Sequence, residues 1–162
     1  MKIYMAGPLG FSEAGRLFHN EVLVPKLKSL RHEVLDPWTL TEQVKIDAVL
    51  RMPYGEAKRD AWRQLNVEIG GNNRQAIDAC DLVLAVLDGV DVDSGTAAEV
   101  GYAFARGKPI VGYRGDLRLS ADNEGALVNL QVEYFVRQSG GDIVSRVSEI
   151  EGALFRSVKP RP

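Results

Sequence analysis

The sequence contains little that could fasten a protein through covalent or metal cross-links. Among its 162 residues there is one cysteine, Cys80, and there are two histidines, His19 and His32. A single cysteine forms no internal disulfide, and neither histidine has a second ligand at the spacing of a zinc site. A chain of this length buries roughly 70% of its unfolded surface and needs no such staple. We therefore expect a protein of a reducing compartment, without a metal, with Cys80 in an inert core and His19 at the surface.

Other absences narrow the class of partner. No apolar run approaches the roughly 20 residues that cross a bilayer, and the first seven residues lack the apolar segment of a secretion signal. Twenty basic and 22 acidic residues leave a net charge of −2, with no basic field for nucleic acid. Neither a Walker sequence nor a G-x-G-x-x-G fingerprint occurs. These absences predict a cytoplasmic protein that binds no membrane and no nucleic acid.

The composition that remains is that of one globular domain. Hydrophobic residues make up 45% of the chain and charged residues 26%, close to the average for folded proteins. The sequence contains no internal repeat, linker or low-complexity tract. We expect a single domain over residues 1–158, followed by a frayed tail at 159–162.

Short apolar segments closed by glycine, proline or aspartate predict buried strands. Four of them are clear, and a fifth candidate, at residues 131–136, is weaker; the four lie at residues 2–6, 32–35, 81–87 and 109–113. Runs that are apolar at consecutive positions suit strands covered on both faces.

Helical periodicity fills the intervals between these strands. Apolar residues recur at helical spacing over residues 13–30, 57–79, 96–106 and 142–155. Pro25 predicts a kink or a break in the first helix, and Gly70-Gly71 predicts a division of the second. Asn72 and Asn73 follow that glycine pair, where asparagine often caps a new helical turn. Strands alternating with helices predict an α/β protein with a mainly parallel sheet.

The ligand site of such a sheet lies beyond the carboxyl ends of its strands. The segments that follow the four clear strands, residues 7–11, 36–38, 88–96 and 114–116, should therefore converge. The third of them carries Asp88, Asp91 and Asp93 and leads into a helix that includes Glu99. A helix N-terminus would lower the pKa of Glu99, and an ionised carboxylate suits a nucleophile in glycosyl chemistry. The alternative is a capping box, in which Thr96 and Glu99 satisfy backbone groups.

The turn after the first strand and the loop after the second supply candidate binding residues. Gly7 and Pro8 open a turn in which the backbone could approach a ligand closely, although a tight turn without a ligand is an equal alternative. Phe11 and Trp38 fall on the expected site loops, where an aromatic ring could stack on a nucleobase. Burial in an ordinary core is the alternative for both rings.

Several segments together resemble the nucleoside 2-deoxyribosyltransferase family over nearly the whole chain. The matching segments occur in the family's order and spacing, and they lie at residues 2–8, 73–83, 93–101, 107–110, 122–124 and 129–130. The resemblance implies a flavodoxin-like (Rossmann-like) three-layer sandwich with a mainly parallel five-stranded sheet. It also implies transfer of 2-deoxyribose between nucleobases by double displacement, as in nucleotide salvage, with no cofactor.

The resemblance also assigns roles to individual residues. Glu99 matches the nucleophile that forms a deoxyribosyl ester, Asp93 the acidic residue that contacts and helps protonate the base, and Tyr4 the tyrosine that orients the nucleophile. Asn73 matches a position that contacts the sugar or the base. Asn129 matches an asparagine lent to a neighbouring subunit's site, which implies at least a homodimer. The full set of expected substrate-binding residues is Gly7, Pro8, Phe11, Trp38, Asn73, Gly95 and Asn129.

Two features depart from the family pattern. The family often reads Asn-Leu-Met where this chain has Asn129-Leu130-Gln131, which bears on the contact with the neighbouring subunit. The loop around Trp38 has no clear counterpart, so the sequence does not decide between purine and pyrimidine bases.

Three alternatives remain open at this point. A related N-glycosidase would hydrolyse nucleoside 5'-monophosphates, but it tends to carry serine six residues before the nucleophile, where this chain has Asp93. A cytokinin-activating phosphoribohydrolase would show a Pro-Gly-Gly run before the Gly-Thr-x-x-Glu turn, where this chain has Asp91-Val92-Asp93. A non-catalytic nucleotide-sensing module on the same fold would bind a ligand without turning it over.

Overall fold

Five parallel strands form the central sheet. The computed structural model describes residues 1–119 and 121–158, so the expected frayed tail at 159–162 lies outside the described residues. The strands pair in the order β2–β1–β3–β4–β5, and their bounds are β1 Lys2–Ala6, β2 Glu33–Leu35, β3 Leu82–Val86, β4 Ile110–Tyr113 and β5 Ile143–Val144. This is the doubly wound order of flavodoxin-like folds. The expected α/β class and five-stranded parallel sheet are confirmed.

Helices cover the two faces of the sheet. Their bounds are α1 Glu13–Phe18, α2 Val24–Ser29, α3 Gln43–Arg51, α4 Glu56–Ala79, α5 Ser94–Ala105, α6 Leu130–Gln138 and α7 Ile150–Ser157. A π-helical segment, His19–Leu23, joins α1 to α2, and short 3-10 turns lie at Leu9–Phe11 and Val147–Glu149. Pro25 falls in the first turn of α2, where a missing N–H group is tolerated, so the helical rod continues through it.

The alternation of side chains along the strands divides the core into two layers. Tyr4 and Val83 point to one face, which is covered by α4, α5 and α6 through residues such as Ile77 and Val100. Their neighbours Ile3 and Leu84 point to the other face, which is covered by α2 and α7. Successive residues of a strand face opposite sides, so a fully apolar strand requires both coverings.

Two of the expected elements are wrong. The weak strand candidate at 131–136 lies in α6, because Val132 and Val136 are four residues apart and are buried on one helical face. The fifth strand is instead Ile143–Val144, at the start of the segment expected to be helical from 142 to 155. Only the second half of that segment forms a helix, α7. Two strand residues are too few to produce a recognisable period of two.

The expected division of the long helix is also wrong. α4 is continuous for 24 residues and contains Gly70 and Gly71 in its interior, and a Cβ at either position would meet nothing within 4 Å. Each glycine costs a helix about 1 kcal/mol relative to alanine. Packing of Leu65, Ala76 and Ile77 holds the helix together through the pair. Asn72 and Asn73 therefore lie within the helix and do not cap one.

Candidate active site

A cavity of about 520 Å³ opens beyond the carboxyl ends of β1, β2 and β3. Residues from the segments after all three strands line it, including Gly7, Trp38 and Asp93. Three of the four segments that were expected to converge therefore do so. The prediction for the fourth segment, residues 114–116, is wrong, because Arg114 and Asp116 line a separate cavity near β5. The strand order reverses between β1 and β3, and a crevice at that point lies away from the end of β4.

One face of α4 forms a long wall of the cavity. Trp62, Asn66, Ile69 and Asn73 line it at spacings of four, three and four residues, which place them on one helical stripe. Sequence reasoning identified only Asn73 among these four. A tryptophan and two asparagines on one stripe were the available signal, but the assumed break at the glycine pair separated Asn73 from the rest. Ile46 of α3 and Thr41 also line the cavity and were missed.

Three elements meet at the carboxylate of Glu99. The hydroxyl of Tyr4 in β1 donates a hydrogen bond of 2.6 Å to Oε1 of Glu99 in α5. The Nδ2 group of Asn73 in α4 donates to the same oxygen at 3.4 Å. Since both contacts fall on Oε1, Oε2 is the oxygen that the described protein groups leave for a substrate.

Burial, and not the helix terminus, dominates the electrostatics of this carboxylate. Desolvation raises the pKa of Glu99, the hydrogen bond from Tyr4 opposes the rise, and the charge of Asp93 adds to it. The expected lowering of the Glu99 pKa is therefore wrong. α5 begins at Ser94, so Glu99 lies in its second turn, whereas the dipole acts within the first. Burial, followed by the charge of Glu99, raises the pKa of Tyr4 far above its usual range, which keeps Tyr4 a proton donor.

Asp93 is the N-cap of α5. Its Oδ2 accepts hydrogen bonds from the backbone N–H of Thr96 at 2.9 Å and from the Thr96 hydroxyl at 3.1 Å. The capping-box alternative is therefore wrong, because Asp93 and not Thr96 is the cap, and Glu99 pairs with Tyr4. Asp93 also lines the cavity together with Gly95, and both of its bonds leave Oδ1 for a ligand.

The aromatic residues form an exposed wall and not a buried core. Phe11 is 74% exposed and Trp38 is 38% exposed, and both line the cavity. Their rings meet edge to face with centroids 4.8 Å apart. The indole of Trp38 packs against Gly10, where a Cβ atom would lie 2.2 Å from two ring carbons. Glycine at position 10 is what allows Trp38 to sit there.

Two of the expected binding residues lie elsewhere. Pro8 is not among the residues that line the cavity, and its carbonyl accepts a hydrogen bond from the backbone N–H of Phe11. Asn129 is the N-cap of α6, with its Oδ1 accepting from the N–H groups of Gln131 and Val132. Neither contributes to this cavity within the chain described.

The cavity contains an unpaired polar atom. Oδ1 of Asn73 is buried and has no hydrogen-bond partner among the described residues. A buried acceptor without a partner is costly unless a ligand or water completes it. Since Asn73 lines the cavity beside Glu99, a ligand hydroxyl or amino group could supply the missing donor.

Cys80 and His19 lie outside the cavity, and the predictions made for them differ in outcome. Cys80 is buried, donates to the carbonyl of Ile77, and burial raises the pKa of its thiol, in keeping with an inert core residue. The expected surface position of His19 is wrong, because this residue is 5% exposed and its side chain pairs with Asp36. Its place in the helical pattern did not reveal that the π-helical segment turns it inward.

Two absences concern residues 1–119 and 121–158, a membrane-spanning helix and a cluster of metal ligands. None of the helices there is long and apolar enough to cross a membrane. In the same residues, no three His, Cys, Asp or Glu side chains lie close enough together to hold a metal ion.

Comparison with known sequences gives a family match over most of the chain. A sequence model of the nucleoside 2-deoxyribosyltransferase family matches residues 3–131. An uncharacterised protein of Schizosaccharomyces pombe is 29% identical, over 59% of this chain and 64% of that protein, so this chain spans a little under two thirds of that relative.

Solved structures share the fold over nearly their full length. A 2-deoxyribosyltransferase from Leishmania mexicana is 26% identical, with a TM-score of 0.61 over 95% of this chain and 94% of that one. A 2-deoxyribosyltransferase from Bacillus psychrosaccharolyticus is 22% identical, with a TM-score of 0.62 over 100% of both chains. The CMP N-glycosidase of Clostridium botulinum is 20% identical, with a TM-score of 0.53 over 96% and 98%. The last two similarities concern the fold alone.

Proposed function

Because this chain belongs to the nucleoside 2-deoxyribosyltransferase family, we propose that it transfers 2-deoxyribose between the nucleobases of 2'-deoxynucleosides. The observation that carries the proposal is the carboxylate of Glu99, held by Tyr4 and Asn73 on one oxygen at a cavity with aromatic walls. Glu99 is the nucleophile, Tyr4 orients it, and Asp93 handles the proton of the base.

The reaction proceeds in two displacements at C1' of the sugar. Oε2 of Glu99 forms a bond to C1' while the bond from C1' to the base nitrogen breaks. The electron pair of that bond leaves with the base, which takes up a proton relayed by Oδ1 of Asp93. A nitrogen of a second base then attacks C1' as the bond from C1' to Oε2 breaks, its proton leaves through Asp93, and the Glu99 carboxylate is restored. A 2-deoxy sugar lacks the electron-withdrawing 2-hydroxyl, so positive charge at C1' is easier to develop. One carboxylate nucleophile and one group acting on the base suffice.

Burial of Glu99 favours the covalent intermediate. Desolvation disfavours the charged form of the carboxylate and raises its pKa. Formation of the ester removes that charge, so part of the desolvation cost is relieved in the intermediate. Tyr4 donates to Oε1 throughout and keeps the carboxylate oriented, because its own raised pKa prevents loss of the hydroxyl proton.

The charge of the cavity favours a nucleoside over a nucleotide. No lysine or arginine is among the described residues that line the cavity, whereas two acidic residues, Asp93 and Glu99, line it. The N-terminus of α5, which could otherwise receive a phosphate, is already capped by the carboxylate of Asp93. A 5'-phosphate would meet two carboxylates and no cation there, which argues against hydrolysis of nucleoside monophosphates and against a phosphoribohydrolase.

The apolar walls favour a base over water as the second nucleophile. Five aromatic or aliphatic side chains line the cavity, namely Phe11, Trp38, Ile46, Trp62 and Ile69. With a base stacked among these side chains, little water would reach C1', and transfer would be faster than hydrolysis.

Product analysis tests the proposal directly. The protein is incubated with 2'-deoxyadenosine and free thymine, and products are separated by chromatography; we expect thymidine and adenine. Release of deoxyribose without thymidine would show a hydrolase, and ligand binding without any turnover would show a sensing module. A parallel incubation with AMP and dAMP measures the alternative substrates, for which no release of base is expected.

Substitution of the nucleophile gives the second arm of the test. Glu99→Ala should reduce exchange by on the order of 10⁴-fold or more, the scale seen when a nucleophile is removed. Asp93→Asn should reduce it less, since the cap is retained. Glu21→Ala, at an exposed position outside the cavity, is the matched control and should leave exchange unchanged. Near-parental exchange by Glu99→Ala would show that the nucleophile is another group.

A further inference from the structure

His19 and Asp36 form a buried pair that the proposed chemistry does not use. Nε2 of His19 lies 2.7 Å from Oδ2 of Asp36, and the two residues are only 5% and 8% exposed. His19 begins the π-helical segment between α1 and α2, a local geometry that often accompanies function. In the tautomer that carries the ring proton on Nε2, His19 donates this hydrogen bond to Asp36. Buried polar pairs of this kind add little net stability, so their position calls for another explanation.

Asp36 connects this pair to the wall of the cavity. Its second carboxylate oxygen, Oδ1, accepts a hydrogen bond of 3.1 Å from the backbone N–H of Trp38. Its carbonyl accepts from the backbone N–H of Thr39 at 2.9 Å and from the Thr39 hydroxyl at 3.0 Å. Asp36 thus begins a hydrogen-bonded turn, with Pro37 at the second position, where proline is favoured. The turn fixes the backbone from which the indole of Trp38 projects.

Side-chain packing holds the other end of the same unit. The indole lies against Gly10 and meets the edge of Phe11, and it lines one small internal crevice together with His19 and Gly7. His19 therefore reaches Trp38 in two ways, by the hydrogen bonds of Asp36 and across this crevice. No other described residue pairs with the Asp36 carboxylate, apart from the Trp38 backbone.

We propose that His19, acting through Asp36, is a positioning residue that holds Trp38 as a stacking surface for the nucleobase. This inference rests on the proposed function for the identity of the ligand, a planar heteroaromatic base, which every nucleobase offers to an indole face. His19 touches neither the sugar nor the base. Its removal leaves Oδ2 of the buried Asp36 carboxylate without a hydrogen-bond partner, and the turn opens so that this oxygen reaches water. Trp38 moves with the turn.

The first test measures the position of Trp38 without any turnover. The chain contains two tryptophans, Trp38 and Trp62, so the variant Trp62→Phe leaves Trp38 as the reporter. In that background His19→Ala should shift the emission to longer wavelength and increase quenching by acrylamide. His19→Gln should restore most of the parental emission, because its amide can donate to Asp36 in place of Nε2. His32→Gln, the same change at the other histidine, should leave the emission unchanged.

The second test is a double-mutant cycle on base binding. In the otherwise unchanged chain, His19→Ala should raise the KM for the acceptor base about tenfold, the scale of one lost base-stacking contact, with a much smaller change in kcat. The same change in a Trp38→Ala background should have little further effect, because the residue it positions is absent. Gly10→Ala, which displaces the indole but leaves the pair intact, should reproduce the rise in KM.

The outcomes separate this inference from the proposed function. An equal effect of His19→Ala on KM with and without Trp38, or an unchanged Trp38 emission, would overturn the positioning role. If His19→Ala does not fold, the same comparisons are made with His19→Leu, which fills the space but cannot donate to Asp36, and with Gly10→Ala. If the protein exchanges no bases, the proposed function fails alone, and the cycle is measured as binding of free adenine, hypoxanthine, cytosine and thymine. Failure of all four to bind would overturn both.

Discussion

The hydrogen bond from Tyr4 to Glu99 is the central interaction of the site at the scale of single residues. It joins a fully buried tyrosine to a carboxylate whose desolvation raises its pKa, and the bond acts in the opposite direction. The pKa of Glu99 is therefore set by two opposed effects, burial that raises it and the hydrogen bond from Tyr4 that lowers it. Substitution of Tyr4 or of Glu99 therefore has an effect whose direction can be predicted.

Tyr4→Phe tests the contribution of the hydroxyl. Loss of its hydrogen bond should raise the pKa of Glu99 further and move the acid limb of the kcat/KM profile for base exchange to higher pH. A hydrogen bond to a charged group is worth about 1.5–3 kcal/mol, so kcat/KM at neutral pH should fall roughly 10- to 150-fold. Tyr134→Phe, at a half-exposed position on α6, is the control. A profile that only falls in height, with no shift along the pH axis, would contradict this role.

Glu99→Gln tests the cost of the buried charge. Because the folded pKa of Glu99 is raised above its ordinary value of 4.5, the folded state binds more protons than the unfolded state between these two values. Stability therefore decreases as pH rises through that range. Glutamine carries no charge, so the variant does not lose stability in this way, and its Tm should exceed the parental Tm at neutral pH. The difference in Tm should disappear as pH falls below 4.5. A gain that is the same at every pH would exclude charge as its cause.

At the scale of elements, α4 supplies a long wall of the cavity although two glycines lower the helix propensity of its interior. Gly70 and Gly71 lie between Ile69 and Asn73, both of which line the cavity. Neither glycine has a neighbour that a methyl group would strike. Packing of Leu65 before the glycine pair and of Ala76 and Ile77 after it, and not the helix propensity of the pair, keeps the helix continuous.

Gly71→Ala should stabilise the protein by up to about 1 kcal/mol, the difference in helix propensity between the two residues. Urea unfolding measures the gain. Gly141→Ala is the opposite case, because its Cβ would lie 1.6 Å from the backbone carbonyl oxygen of Ile110 in β4 and the backbone cannot give way. That variant should be severely destabilised. Destabilisation by Gly71→Ala of similar size would show that the conformation of α4 requires glycine.

At the scale of the whole molecule, we propose that the protein works as a homo-oligomer in which Asn129 completes a neighbour's site. The proposal rests on the family pattern and on the position of Asn129, which lies outside the chain's own cavity at the N-cap of α6. Gln131, two residues after Asn129, stands where the family pattern often has methionine.

Subunit mixing tests this arrangement. Glu99→Ala and Asn129→Ala should each be inactive alone, and a refolded mixture should regain up to about a quarter of the parental exchange activity, as one intact composite site forms in half of randomly paired dimers. Asn129→Ser keeps a good capping residue and separates loss of the cap from loss of the shared contact. If Asn129→Ser is fully active while Asn129→Ala is not, Asn129 serves only as a cap. Sedimentation velocity reports the oligomeric state independently.

The sequence by itself determined the features that depend on neighbours along the chain. Consecutive apolar residues closed by glycine, proline or aspartate identified four strands, since a strand covered on both faces has no polar side. The acidic loop that leads into Glu99 identified the candidate nucleophile, because that loop follows a strand whose end must face the crevice. The sequence did not predict β5 or the continuity of α4. A strand of two residues is too short to show a period of two, and α4 is held together by packing against residues distant in the chain.

Only the tertiary structure decided which groups surround the carboxylate and the indole. The rise in the Glu99 pKa comes from burial between β1, α4 and α5, and no local pattern encodes that burial. Trp62 and Asn66 line the cavity together with residues of the segments after β1, β2 and β3, which are distant in sequence. His19 pairs with Asp36, 17 residues away, across a contact that the helical pattern of residues 13–30 does not encode. Desolvation and long-range contacts are properties of the assembled chain, so they appear only once the sheet and its helices are in place.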